Sequence, residues 1–156
     1  MSCCNSRFST FTFEEIRTAS PPRQKGVYVV RVKARGAPTD KIIGESARLI
    51  NELRWATVEK YILSRINRLK RMGDCPIIYI GSAGTRSGSK HTLHGRYQDF
   101  CIRHTAMYPL WALIYYGWDL EFGWFVENQD PESLENSLKH EYQIDHSGTL
   151  PALVPM

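Results

Sequence analysis

The run Pro76-Ile77-Ile78-Tyr79-Ile80-Gly81-Ser82-Ala83-Gly84 constrains the chain most. It opens as a short, wholly apolar stretch and breaks into small residues, the pattern of a buried strand that ends in a tight loop. Strand alternation places Tyr79 opposite Ile78 and Ile80. A second run, Gly26-Val27-Tyr28-Val29-Val30, again sets a tyrosine early in a β-branched strand.

Around these strands the expected elements follow in order. Thr12-Phe13-Glu14-Glu15 fits a capping box, which predicts a short helix through Arg17 that Ser20-Pro21-Pro22 stops. Residues 33–40 read as a loop. Residues 45–72 read as a helix, with Trp55, Val58, Ile62, Ile66 and Leu69 in one apolar stripe. Between Lys60 and Arg71 this segment carries basic residues and no acidic ones. A Ser/Gly-rich loop with Arg86 and Lys90 precedes a helix expected over residues 91–105. Leu93, Tyr97, Phe100, Cys101 and His104 form its inner stripe, and Arg96 and Arg103 its edge. The aromatic stretch 110–126 reads as two strands around a turn at Gly117-Trp118-Asp119. Asp130-Pro131 opens a helix that runs to about Asp145. Glu135, Leu138 and Tyr142 share a face of it, and a carboxylate among packing residues needs a partner.

The chain has 156 residues, enough for one domain spanning 1–156. A net charge of +4 permits a nucleic-acid partner without demanding one. The four cysteines show neither CxxC nor zinc-site spacing, so reduced thiols and a cytoplasmic setting are expected. No apolar run is long enough to span a membrane.

The order of these features resembles the GIY-YIG nuclease family. Gly26-Val27-Tyr28 matches its first motif with valine for isoleucine, and Tyr79-Ile80-Gly81 matches its second. Leu93-His94-Gly95-Arg96-Tyr97 resembles the family's arginine helix, and Glu135-Asn136-Ser137-Leu138 with Tyr142 its glutamate helix. The similarity covers residues 25–142, interrupted by a basic helical insertion at about 40–73. Two departures stand out. Phe100 sits one turn after the arginine, where some members have histidine. The tail from His146 to Pro151 lacks the asparagine that many members carry.

The resemblance implies an α/β (α+β) fold, a small, mainly antiparallel sheet flanked by helices. It implies hydrolysis of DNA phosphodiester bonds with Tyr28, Tyr79, Arg96 and Glu135 as catalytic residues. Glu135 would hold Mg²⁺ or Mn²⁺, because a hard cation can be bound by one carboxylate, waters and substrate phosphate. The Arg96 fork suits phosphate oxygens. Tyr28 would be the general base, provided that nearby cations make its phenol more acidic. Glu141 borders the inner face and rivals Glu135 for the metal; His104, His146, Ser147 or Thr149 would stand in for the absent asparagine, or activity is altered. For Lys60, Arg65, Arg68 and Arg71 two readings stand, a solvated face and a surface that tracks phosphates. Arg86, Lys90 and Arg103 join the DNA-contacting set. The partner would be DNA, met as a monomer or a homodimer, and the alternative is a non-catalytic nucleic-acid binding module on the same fold.

Overall fold

The computed structural model describes residues 6–53, 64–65, 67–70, 75–84, 91–102 and 107–154. Four strands form one antiparallel sheet: β1 (Thr12–Glu15), β2 (Gly26–Ala34), β3 (Ile77–Ala83) and β4 (Asp119–Val126), in the spatial order β1-β4-β2-β3. The helices are α1 (Thr39–Leu53), α2 (Leu93–Ile102), α3 (Met107–Tyr115) and α4 (Pro131–Asp145). The expected α+β class, with an antiparallel sheet flanked by helices, is what the chain adopts. No helix among the described residues is long and apolar enough to cross a membrane.

β2 is central and hydrophobic on both sides, so each face of the sheet carries its own core. Tyr28, Val30 and Val32 point to one face, where they meet Phe122 of β4, Leu93 and Phe100 of α2, Leu113 of α3 and Ile42 of α1. Val27 and Val29 point to the other, against Ile77 and Ile80 of β3, Leu138 and Tyr142 of α4, and Phe8. A bulge follows Val30: Val30 pairs with Tyr79 but Arg31 pairs with Ile77. Ile78 is therefore the extra residue, and it shares the Tyr79 face rather than opposing it. Ile80 does lie opposite Tyr79, as alternation requires.

β3 is an edge strand, yet all seven of its residues are buried. The C-terminal segment helps to cover it: the Leu153 N–H donates to the Ile78 carbonyl at 2.9 Å, and the Leu153 side chain is fully buried. Covering an edge in this way removes an unpaired row of backbone groups.

Several expected elements differ. Residues 12–15 form strand β1 instead of a helix. Phe13 lies opposite Gly123 on β4, and the Arg31 guanidinium sits 3.4 Å over its ring. A strand partner and a cation–π contact outweigh a one-turn capping signal. Residues 33–40 are not all loop, since β2 extends to Ala34 and α1 starts at Thr39 rather than at residue 45. The first half of the aromatic stretch is helix α3. Leu110 and Leu113 are buried while Trp111 and Tyr115 are exposed, a helical spacing hidden beneath strand-prone residue types. Its end carries a Schellman motif: Gly117 N–H reaches Ile114 O at 3.0 Å and Trp118 N–H reaches Leu113 O at 3.0 Å. Gly117 adopts φ +87°, which a side chain would disfavour. α4 begins where Asp130-Pro131 places it, and the Asp130 carboxylate accepts from Ser133 N–H at 3.1 Å.

Candidate functional site

The site forms where β2, the edge strand β3, α2 and α4 meet. Tyr28 on β2 stands opposite Gly81 on β3. A methyl group on Gly81 would lie 2.6 Å from both Cζ and Oη of Tyr28, so this glycine leaves room for the ring to cross the neighbouring strand. Gly26 is equally constrained, with its would-be Cβ 2.2 Å from the Phe125 carbonyl oxygen. The small residues of both tripeptides thus let strands and rings approach closely.

Tyr28 and Tyr79 are diagonal neighbours across β2 and β3. Their rings stack with centroids 5.9 Å apart and planes 10° apart. Phe100 closes on both edgewise, at 5.4 Å from Tyr28 and 5.1 Å from Tyr79, and Phe122 stacks on the far side of Tyr28 at 5.6 Å. Phe100 is therefore the apolar wall of the tyrosine pair.

This enclosure sets the acidity of the phenols. Tyr28 is 2% exposed, and burial pushes its phenol well above the ordinary value of 10.0. Tyr79 adds to the rise, while the Arg96 charge opposes it. Burial also raises the Tyr79 phenol; a hydrogen bond from Tyr28 and the charges of Arg96 and Arg65 pull the other way. The expectation that cations acidify Tyr28 is thus corrected: desolvation of the charged form exceeds their pull. Tyr28 holds its proton and donates to Tyr79.

Arg96 comes from the first turn of α2. Thr92 caps this helix, its Oγ1 accepting from Gly95 N–H at 3.1 Å. Leu93 and His94 N–H bond to the carbonyls of Gln24 and Pro22, which ties the helix start to the entry of β2. The Arg96 Nη1 has a loose contact with Asp99 at 3.8 Å. Its buried Nε makes no hydrogen bond among the described residues, while the side chain as a whole is 32% exposed.

Glu135 arrives from the opposite face of the sheet. α4 packs Leu138 and Tyr142 against β2 and β3, and Glu135, one turn earlier, lies at the rim with its side chain 15% exposed. Oε1 accepts a short hydrogen bond from the buried hydroxyl of Ser82, and Oε2 pairs with Lys139 Nζ at 2.5 Å. The carboxylate expected to need a partner has two. Its charge also acts on both phenols. Tyr28, Tyr79 and Arg96 therefore share one face of the sheet, and Glu135 approaches from the other, near enough for its charge to act on both phenols. Reading each face separately missed Ser82 and Lys139, although the i, i+4 spacing of Glu135 and Lys139 was a usable signal.

The remaining candidates lie elsewhere. Glu141 pairs with Arg7 at 2.8 Å, which engages it away from the phenols. Arg65 does not line an exposed face: it is 4% exposed, and its charge acts on Tyr79. Arg68 is half-buried and donates to the Val154 carbonyl at 2.6 Å, holding the C-terminal segment rather than standing free on a basic surface. Lys60, Arg71, Arg86, Lys90, Arg103 and His104 lie outside the described residues. His146 stacks on Tyr142 at 3.7 Å with its Nδ1 2.7 Å from the Tyr142 carbonyl.

For a metal, no group of three or more His, Cys, Asp or Glu side chains gathers among the described residues. An all-protein cage is absent there, but a Mg²⁺ shell of one carboxylate, waters and phosphate needs none. Among the described residues each Glu135 oxygen has one partner, which leaves a lone pair on each for a cation. The residues therefore fit a single-carboxylate site. No protein-family model, curated protein or solved structure matches this chain.

Proposed function

We propose that the chain is a divalent-metal-dependent endonuclease of GIY-YIG type that hydrolyses DNA phosphodiester bonds in the cytoplasm. The observation that supports this reading is the stack of Tyr28 on Tyr79 with Arg96 and Glu135, from two further elements, near enough for their charges to act on both phenols.

A Mg²⁺ or Mn²⁺ ion bound by Glu135 would supply Lewis-acid stabilisation of the charge that builds on the phosphate. The chain's own groups do the rest. The half-exposed Arg96 guanidinium binds a phosphate oxygen and holds it in line for attack. Tyr28 donates to Tyr79 and fixes the position of its oxygen. Tyr79 also keeps its proton, because burial raises its phenol, and it orients the attacking water, whose proton is lost to solvent. A new P–O bond forms to that water while the bond to the leaving oxygen breaks. Phe100 and Phe122 keep bulk water from the pair. Ser82 fixes the Glu135 carboxylate at the β3 edge.

The decisive experiment incubates plasmid DNA with Mg²⁺ or Mn²⁺, with a chelator control and with Glu135→Ala in parallel. Nicked or linear plasmid with the wild type, and none with Glu135→Ala, supports the reading. Full cleavage by Glu135→Ala refutes the metal role of Glu135. The burial of both tyrosines favours one rival, a binding module that keeps the architecture without the chemistry. Retarded DNA without strand breaks identifies that rival.

A further inference from the structure

We infer that Lys139 is an internal cation that closes the Glu135 carboxylate until a phosphodiester draws it away, so that divalent metal and substrate load together. This rests on the nuclease reading of the same site and concerns how the site is controlled.

The two partners of Glu135 differ in kind. Ser82 is part of a buried strand, 6% exposed and paired on β2 with Val27, so its hydroxyl stays in place. Lys139 lies on the same helix as Glu135, one turn later, with its side chain 23% exposed. A lysine has a flexible four-carbon stem and a compact ammonium group, so Nζ can swing toward solvent without any backbone movement. Ser82 is thus a fixed positioning residue for Oε1, and Lys139 is a removable cover on Oε2.

While Lys139 sits 2.5 Å from Oε2, a divalent ion approaching that oxygen meets a full positive charge at close range. The same ammonium group has a competing partner once a phosphate is held by Arg96. Moving from carboxylate to phosphate frees Oε2 and adds a second cationic contact to the anion. The two binding events then strengthen one another, and by linkage each raises the affinity of the other by the same factor. Without substrate the carboxylate remains paired with lysine, and the metal-charged form is scarce.

The test measures Mn²⁺ binding to the full chain by loss of the free-ion electron paramagnetic resonance signal, with diethyl phosphate as the phosphodiester probe. K139M should bind Mn²⁺ about tenfold more tightly than wild type, the ratio expected when one unit charge near a divalent ion is removed from a solvated cleft. K139Q, a second neutral variant, guards against a fold defect and should behave alike. K139R keeps the charge and should stay near wild type. Diethyl phosphate should tighten Mn²⁺ binding to wild type more than to K139M, which keeps only the direct coupling through the metal. The inference is overturned if both neutral variants bind no more tightly than wild type, or if tight binding persists in E135Q/K139M. It is also overturned if no variant binds Mn²⁺. Plasmid cleavage with and without chelator, run on the same preparations, then judges the nuclease reading separately.

Discussion

Gly81→Ala tests the packing that brings the tyrosines together. The new methyl would stand 2.6 Å from Tyr28 Cζ and Oη and 2.9 Å from Cε2, against an ordinary separation of about 3.5–4.0 Å between carbon atoms. Relief requires a movement of roughly 1 Å. Tyr28 has no open direction for it, since Tyr79, Phe122 and Phe100 flank the ring at 5.9, 5.6 and 5.4 Å. The strands must part or the ring must leave its rotamer. Overpacking of this kind costs about 1–3 kcal/mol, and the lack of free space puts Gly81→Ala in the upper half of that range. For a chain of this size 2–3 kcal/mol lowers Tm by roughly 4–12 °C. Urea unfolding followed by circular dichroism measures the loss, and near-ultraviolet dichroism reports the aromatic cluster. A double-mutant cycle with Tyr28→Leu, which shortens the ring, should show a coupling above about 0.5 kcal/mol. A stability change below about 0.5 kcal/mol with an unaltered aromatic signal would refute the packing reasoning.

Further outcomes follow from the same geometry. Because burial raises the phenols of Tyr28 and Tyr79 above 10.0, the unfolded chain releases their protons first as pH rises past that value. The unfolded state then binds fewer protons, so stability is fully present below pH about 10 and falls above it; Tyr28→Phe should show a shallower fall in urea titrations between pH 9 and about 11.5. Tyr79→Phe should lower the cleavage rate about 100-fold in single-turnover assays, the scale of lost positioning, with unchanged rate excluding a water-orienting role. Ser82→Ala removes the fixed donor to Glu135 and should cost about 1–3 kcal/mol in urea unfolding, since it leaves a carboxylate oxygen under-satisfied. Asp130→Ala should cost about 1 kcal/mol through loss of the α4 cap, with cleavage unchanged when assayed well below Tm.

Much of this arrangement was legible in the sequence where local chemistry and tertiary context agree. Asp130-Pro131 marks the start of α4, and Leu138 and Tyr142 mark its buried face. The β-branched runs mark β2 and β3. Reading failed where a distant partner decides. Thr12 to Glu15 carries a helix-start pattern, but pairing with β4 fixes it as strand. In α3 aromatic residue types suggested strand while the 110/113 spacing spoke for helix. The phenol acidity of Tyr28 depends on Phe100 and Phe122, far away in sequence, so the surrounding wall could not be read from the tripeptide. Arg65 looked like a surface charge by its neighbours and is buried by the fold.

The burial of β3 has a dynamic consequence. An edge strand with one open flank usually exchanges its amide hydrogens through local fraying. Here both faces of the strand belong to hydrophobic cores, and Leu153 bonds to its flank. Releasing Ile78 to Ser82 would dismantle the Tyr28 stack on one side and the Leu138–Tyr142 packing on the other. Opening is then available only by sub-global unfolding, so the β3 amides belong among the slowest to exchange. Tyr79 and Ser82, which hold the two halves of the site, are carried on the segment that is last to loosen.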